Sequence, residues 1–192
     1  MRRSAPRCRA RGIAAPPRAA AQRASREAPE LPPDLVFLGH SAGAEAVAFV
    51  ADHLRIDAPR TWARLRGIVL LDPVKSFLGD NIDTALAGIG TTALPALTIS
   101  APHSLCNSLG TGTAAVQAYL HRPFVGVRFP NGAHTDAEGA SSDALGEALC
   151  GRPRNADITA LRALALGWTD DFLDSTSTPA YAISPHRHRM HT

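Results

Sequence analysis

Short apolar runs alternate with stretches of helical periodicity from Asp34 onward. Apolar runs bounded by turn-forming residues are typical of buried strands, whereas apolar residues three and four positions apart are typical of helices. This pattern predicts four strands, at residues 35–39, 65–71, 96–100 and 124–129. It predicts helices at residues 43–55, 82–87, 113–120, 140–150 and 156–173, with Asn155 as the cap of the last. Such alternation predicts an α/β fold, with a mostly parallel sheet of about four strands flanked by helices.

Residues 34–175 carry this pattern and form the predicted domain. Residues 1–33 are rich in Arg, Ala and Pro, and we expect them to be disordered because they cannot bury enough surface to offset chain entropy. Three interpretations of this extension stay open: a transit-like peptide, a basic arm, or a stretch translated from a misplaced start site. The use of arginine almost to the exclusion of lysine, with abundant alanine, suggests a GC-rich genome and favours the third. Residues 176–192 are expected to form a flexible tail.

Charge is unevenly distributed over the 192 residues, whose net charge is +3. Eight arginines and two glutamates give residues 1–33 a net charge of +6, which leaves the rest of the chain at −3. A mildly acidic body argues against a nucleic-acid partner. No apolar stretch approaches the ~20 residues that a membrane span needs, and the extension lacks the apolar segment of a secretory signal. The sequence as given is compatible with the cytoplasm, and with secretion if the true N-terminus lies further upstream.

Three cysteines are present. Cys8 lies in the extension, whereas Cys106 and Cys150 lie in the predicted domain. The latter two could form a disulfide, which would indicate an oxidising compartment, or they could be two buried thiols. The sequence leaves both alternatives open.

A serine between two glycines follows the first predicted strand. Residues 39–43 read G-H-S-A-G and come directly before a predicted helix. In a strand–turn–helix context, G-x-S-x-G is typical of a hydrolase nucleophile on a strained turn, which exposes the hydroxyl at the edge of the sheet. The two glycines are expected to let strand and helix approach without Cβ clashes. The pattern predicts Ser41 as a nucleophile and the backbone N–H of Ala42 as an oxyanion donor.

The two partners that such a serine needs follow later strands. A serine hydroxyl needs a base, and a histidine base needs a carboxylate that fixes its tautomer. In a parallel sheet these groups are expected where the strands end. Asp72 ends the second predicted strand, and His134 lies in the turn after the fourth. Asp72 also precedes Pro73, and an Asp-Pro turn needs no catalytic role, but its position in phase with Ser41 and His134 favours the triad.

Neighbouring residues have simpler explanations. Asp136, two positions after His134, is the competing acid but is more typical of a local turn carboxylate. The side chain of His40 is expected to point away from that of Ser41, which favours packing over a role as the base. His103 lies in a loop on the same side of the sheet and could line a pocket, although a solvated loop histidine is the favoured interpretation.

No cofactor or metal site is predicted. Histidines and arginines are clustered at residues 186–191, but arginines repel cations and no cysteine or carboxylate is adjacent, so a basic tail is favoured over a metal site. The chain carries no P-loop, no dinucleotide-binding fingerprint and no paired C-x-x-C motif.

Three segments resemble the α/β-hydrolase superfamily, and more narrowly its chlorophyllase-like and polyester-hydrolase-like serine esterases. These segments are residues 39–43 (G-H-S-A-G), 67–74 (G-I-V-L-L-D-P-V) and 131–136 (N-G-A-H-T-D). In chlorophyllase-like proteins a G-H-S-x-G elbow is followed, after one helix, by a strand that ends in D-P-V, and its aspartate is taken as the triad acid. The order Ser, Asp, His is also that of the superfamily.

The loop after the third strand supports the same assignment. Residues 95–107, which end in Cys-Asn, resemble the corresponding strand and loop of that group. Many other α/β-hydrolases place the acid after this strand, but residues 100–108 contain no aspartate, which favours Asp72. The resemblance covers roughly residues 34–175.

The chain departs from the superfamily on its N-terminal side. Members have several strands before the elbow strand, and a loop among them supplies the second oxyanion N–H, whereas residues 1–33 show no strand pattern. The resemblance therefore implies the C-terminal portion of an α/β-hydrolase. It also implies an unpaired apolar edge at residues 35–38 and half of the oxyanion hole, so weak activity or an inability to fold alone is expected.

Together, Ser41, Asp72 and His134 predict a serine hydrolase that cleaves carboxylic esters through an acyl-enzyme. The expected substrate is a small-molecule or lipid-like ester, and no cofactor is required. The alternative is a truncated, non-catalytic remnant or binding module that keeps the elbow as architecture. A thioesterase or a lipase would use the same triad, and the sequence does not separate these activities or indicate an oligomeric state.

Overall fold

A four-stranded parallel sheet forms the centre of the domain. The computed structural model describes residues 32–76, 79–121 and 124–176. The strands are β1 (Leu35–His40), β2 (Leu65–Leu71), β3 (Ala96–Ser100) and β4 (Phe124–Arg128). They lie in the order β1-β2-β3-β4, and each neighbouring pair is parallel. The predicted α/β class, with a mostly parallel sheet of about four strands flanked by helices, is confirmed.

Helices follow the strands along the chain. They are α1 (Ala42–Asp57), α2 (Pro59–Trp62), α3 (Asn81–Gly90), α4 (Thr111–Tyr119), α5 (Ala144–Cys150) and α6 (Asn155–Asp174). Short 3-10 turns occupy Ser108–Gly110, His134–Ala137 and Gly139–Ser141. The helix predicted at residues 140–150 therefore begins later than expected, because its first part belongs to a 3-10 turn. The predicted cap of α6 is also wrong: Arg154 holds the N-cap position in an extended conformation, and Asn155 is already helical.

Helices cover both faces of the sheet, as the apolar pattern of β2 requires. Ile68 and Leu70 pack with α1, α3 and α4 in one core cluster. Val69 and Leu71 point to the other face, where they pack against α6 around the fully buried Trp168. A strand that is buried on both faces has no need of polar residues at alternate positions, which explains the apolar run at residues 67–71 of β2.

The register of the sheet brings the ends of the strands together. His40 at the end of β1 pairs with Leu71 of β2, and Leu71 pairs with Ile99 of β3. The residues that follow β1 and β2 are therefore neighbours in space, although they lie 31 positions apart in the sequence. This register places Ser41 beside Asp72.

Strand β1 pairs with β2 and, among the described residues, with no second strand. Its Leu38 side chain is half exposed. The expected extension, apart from its last two residues, lies outside the described residues, as do residues 177–192 with the histidine and arginine cluster. Within the described ranges, no helix combines the length and apolar character needed to cross a membrane.

Candidate active site

Ser41 occupies a strained turn between β1 and α1. Its backbone has φ 57° and ψ −127°, a conformation that non-glycine residues rarely adopt and that surrounding contacts must hold in place. The N–H of Ser41 donates to the carbonyl of Leu71 at 3.0 Å, and its own carbonyl accepts the N–H of Ala44 at 3.0 Å. The turn is thus fixed by the end of β2 on one side and by the start of α1 on the other.

The two glycines around Ser41 have different roles. A Cβ atom on Gly39 would lie 2.3 Å from the carbonyl oxygen of Gly43, which leaves no room for a side chain. A Cβ on Gly43 would meet no atom within 4 Å. The prediction that both glycines permit the close approach of strand and helix is therefore confirmed for Gly39. It is wrong for Gly43, because only the backbone of Gly43 takes part in the contact and a side chain there would point into open space.

Ser41, His134 and Asp72 form one hydrogen-bonded chain. Nε2 of His134 lies 3.0 Å from Oγ of Ser41, and Nδ1 of His134 lies 2.6 Å from Oδ2 of Asp72. Because a carboxylate accepts hydrogen bonds, Nδ1 donates to Asp72 and Nε2 is left to accept the proton of the Ser41 hydroxyl. Asp72 and His134 are both buried, whereas Ser41 is partly exposed. The three residues singled out from the sequence therefore meet at one site, at which Ser41 is the partly exposed member.

Further donors surround the carboxylate of Asp72. Oδ1 accepts the backbone N–H of Ala101 at 3.0 Å, and the side-chain amide nitrogen of Asn107 lies 3.3 Å from Oδ1 and 3.2 Å from Oδ2. The backbone of Asp72 has φ 40°, a left-handed conformation that aspartate tolerates better than most residues. These contacts hold the carboxylate against His134 and satisfy its buried oxygens.

His40 packs against the base rather than acting as one. Its Nε2–H donates to the backbone carbonyl of His134 at 3.0 Å, and the two rings have their centroids 4.6 Å apart. Burial lowers the pKa of His40 below its usual 6.5, and the proximity of His134 lowers it further. The neutral form of His40 is favoured, which keeps a second positive charge away from a protonated His134.

The turn that carries His134 is fixed by its neighbours. The carboxylate of Asp136 accepts the backbone N–H groups of Ala133 at 2.7 Å and Arg154 at 3.0 Å, so it is the turn carboxylate that the sequence favoured. The hydroxyl of Thr135 donates to the carbonyl of Gly151. Together these bonds attach the turn to the segment between α5 and α6.

Ala42, the predicted oxyanion donor, directly follows Ser41. It is the first residue of α1, and the first N–H groups of a helix have no acceptor within the helix. The positive end of the helix dipole adds to the attraction for an anion at this point. The geometry therefore suits stabilisation of a negative oxygen next to Ser41.

Two sizeable cavities are lined by the described residues, besides a space of about 10 Å³ next to Asp72 and His134. One of about 310 Å³ opens beside Ala42 and includes Ala46, Phe49 and Val50 on one face of α1. A larger cavity of about 450 Å³ is lined by Leu65 and other residues near the starts of the strands. The smaller cavity is the candidate substrate groove, because it adjoins the elbow, whereas the larger one lies at the end of the sheet away from the triad.

Two features of the site were not predicted from the sequence. One is Asn107, whose contact with Asp72 depends on the path of a loop and has no signature in the sequence beyond the resemblance of the Cys-Asn pair. The other is the pairing of Cys106 with Cys150, which the sequence left open. These two cysteines form a disulfide, with their Cα atoms 5.4 Å apart. The exposed His103 lies against Gly110 in the same loop.

Comparison with protein-family models, with curated proteins and with solved structures finds no match for this chain. The geometry of the site is therefore the basis for inferring its chemistry. In the part of the chain that the structure describes, no group of three or more His, Cys, Asp or Glu side chains is placed to hold a metal ion. The arrangement provides a hydroxyl, an adjacent base with a fixed tautomer and an N–H donor, which together can carry out nucleophilic acyl transfer.

Proposed function

We propose that the protein is a serine hydrolase of the α/β-hydrolase type that cleaves carboxylic esters. The observation that carries this proposal is the continuous hydrogen-bonded chain from Ser41 through His134 to Asp72, with the serine on a strained turn. Strain at a non-glycine residue persists where surrounding structure imposes it, and it is concentrated at functional sites. A connection without chemistry would need neither this backbone conformation nor an imidazole at 3.0 Å from the hydroxyl.

The geometry supports a two-step reaction. Oγ of Ser41 attacks the ester carbonyl carbon while Nε2 of His134 takes the hydroxyl proton, and the negative carbonyl oxygen is stabilised by the N–H of Ala42. His134 then gives its proton to the departing alkoxide, which leaves an acyl group on Ser41. Water enters, loses a proton to His134 and attacks the acyl carbon, and the proton returns to Oγ as the acid is released. Asp72 orients the imidazole and stabilises its positive charge throughout.

The groove beside the elbow supports an apolar ester as substrate. Ala46, Phe49 and Val50 form its apolar side, with Phe49 and Val50 exposed to solvent, and Glu45, Ser76 and Asn81 supply polar groups. Apolar side chains with a few polar groups at the reacting centre are typical of ligand sites. An ester with a small or lipid-like acyl group fits this surface better than a highly charged substrate does.

Labelling with a fluorophosphonate probe tests the proposal, because the probe reacts with activated serines. We expect the wild type to be labelled and Ser41→Ala not to be labelled, with hydrolysis of p-nitrophenyl butyrate reduced by about 10⁶-fold. Ser142→Ala is the matched control, since the Ser142 hydroxyl has no hydrogen-bond partner within the described residues, and it should behave as the wild type.

Two results would contradict the proposal. Equal labelling of the wild type and of Ser41→Ala would show that Ser41 is not the nucleophile. A folded wild type that neither reacts with the probe nor hydrolyses the ester would favour a non-catalytic binding module that retains the elbow.

A further inference from the structure

Asn107 is the most buried polar side chain in contact with the triad. It is 1% exposed and lies in the loop between β3 and α4. No step of the reaction described above uses it. A buried amide must satisfy two donor hydrogens and one acceptor oxygen, so its partners define what it does.

The contacts of Asn107 fix the orientation of its amide. Oδ1 accepts the backbone N–H of Ser104 at 2.8 Å and that of Gly110 at 3.1 Å. Nδ2 donates to the carbonyl of Pro102 at 2.8 Å and faces both carboxylate oxygens of Asp72, at 3.3 and 3.2 Å. A flipped amide would place its oxygen against a carbonyl and a carboxylate and its nitrogen against two N–H groups. The orientation with Nδ2 toward Asp72 is the one that satisfies every partner.

The loop around Asn107 is held in an uncommon conformation. Ser108 and Leu109 both have a left-handed backbone, with φ 50° and 56°. Consecutive non-glycine residues of this kind are costly and persist where other contacts impose them. The two bonds that Oδ1 accepts close the loop around this pair, so the side chain ties the loop to the acid of the triad.

We propose that Asn107 is a positioning residue of the triad, which holds the carboxylate of Asp72 in line with His134 by donating from Nδ2. This inference rests on the proposed function for its catalytic consequence. Oδ2 of Asp72 is shared between the imidazole and Asn107, and Oδ1 between Ala101 and Asn107. Asn107 therefore restrains rotation of the carboxylate about its last bond, which would otherwise change the orientation of His134.

The variant Asn107→Asp tests this role with little change of shape. One carboxylate oxygen at position 107 can keep the bonds from Ser104 and Gly110. The other would face the Pro102 carbonyl at about the present 2.8 Å and Asp72 at about the present 3.2 Å. Two carboxylates so close resist ionising together, so they share one proton over a wide pH range, as in other carboxylate dyads. The shared proton restores a donor at low pH, and its loss at higher pH sets two negative charges against each other.

We therefore expect a pH dependence that a merely structural role would not produce. For p-nitrophenyl butyrate, kcat/KM of Asn107→Asp relative to wild type should be near one at low pH and should fall by up to about tenfold per pH unit once the shared proton is lost. Asn107→Ala, which has no ionisable group, should lower kcat by about 10²-fold at every pH with KM unchanged, as expected for a displaced catalytic group.

Other titratable groups near Asp72 are common to the wild type and the variants. They are His134, which bonds to Asp72, His40, whose ring packs at a tilt against that of His134, and Glu138, whose charge acts on His40. His103 lies against Gly110 in the loop. Ratios of variant to wild type at each pH remove their shared contribution.

Stability measured against pH gives a readout that needs no activity. The pair in Asn107→Asp binds one proton more when folded than when unfolded near neutral pH, so the free energy of unfolding of this variant should fall, relative to wild type, as pH rises. A difference in stability that does not change with pH would overturn the inference, and so would a variant that fails to fold even at low pH. A ratio of Asn107→Asp to wild-type kcat/KM that stays constant across pH would also overturn the inference. If the wild type has no esterase activity, the proposed function fails, and the stability difference still tests the contact between positions 107 and 72.

Discussion

The polar residues of the site are buried as a connected set. Removing an apolar side chain leaves a void, but removing one member of such a set leaves another buried polar group without a partner, which costs about 1–3 kcal/mol. Asp72 and His134 depend on each other in this way, and Asn107 depends on both the loop and Asp72. The side chains around the nucleophile therefore contribute to stability as well as to the proposed chemistry.

Because His40 is partly buried, we expect the folded protein to lose stability at acid pH. Its pKa is lowered in the folded protein by burial and by His134, so below about pH 6.5 the unfolded chain binds a proton that the folded chain resists. The contribution of His40 is present above this pH and is lost as the pH falls toward the folded pKa. We expect His40→Gln, whose amide can still donate to the carbonyl of His134, to lose less stability than wild type between neutral pH and pH 5.

Denaturant unfolding at several pH values measures this difference. His53→Gln is the control, because His53 is an exposed histidine in α1, the helix that follows His40 along the chain. If wild type and His40→Gln lose stability equally on acidification, burial of His40 has no role in the pH response.

At the scale of elements, the close packing of β1 against α1 depends on Gly39 and not on the side-chain space at Gly43. Gly39→Ala would place a methyl group 2.3 Å from the backbone oxygen of Gly43. Because a backbone atom cannot move aside as a flexible side chain can, we expect this substitution to destabilise the fold by about 1–3 kcal/mol. Gly43→Ala meets open space in a helix, and should stabilise the fold by about 0.5 kcal/mol because alanine has less conformational freedom to lose.

The two variants form a matched pair, since each adds one methyl group to the same motif. Their unfolding midpoints in denaturant, compared with that of wild type, measure the two effects. Equal effects of the two substitutions would show that the close approach at Gly39 does not limit the packing of the strand against the helix.

Elements built from local apolar patterns were predictable from the sequence. The bounds of β2 and β3 agree with prediction, because a run such as residues 65–71 is long, mostly apolar and bounded by polar residues. Ser41, Asp72 and His134 could be brought together in advance because parallel strands end at one edge of a sheet. Their distances, which decide whether they interact, required the structure.

Features that depend on nonlocal contacts were not predictable. Asn107 bonds to a residue 35 positions away through a loop whose path no periodicity describes. Asn155 was expected as a cap from its residue type, yet the N–H of Arg154 is held by Asp136, so the chain enters the helix one residue earlier. In both cases a tertiary hydrogen bond overrides the local preference.

At the scale of the whole molecule, the disulfide joins the segments that support Asp72 and His134. Cys106 directly precedes Asn107, which contacts Asp72, and Cys150 directly precedes Gly151, whose carbonyl accepts from Thr135 next to His134. The bridge thus connects two segments that approach the triad from different sides.

Loss of this bridge should weaken the whole domain. For a sequence separation of 44 residues, the chain-entropy model gives a stabilisation of about 4 kcal/mol. We expect the double variant Cys106→Ser with Cys150→Ser to unfold at a lower denaturant concentration than wild type. Cys8→Ser, which removes a cysteine outside the bridge, is the control, and an unchanged midpoint in the double variant would contradict a stabilising role.

At position 41, an unstrained backbone and the presence of a side-chain hydroxyl exclude each other. Glycine adopts φ 57° and ψ −127° far more readily than serine, so the substitution that relaxes this turn is also the one that deletes the hydroxyl. A search for stabilising substitutions at this position would therefore favour glycine and lose the hydroxyl. The strained serine fits a position where the hydroxyl matters more than the conformational ease of the turn.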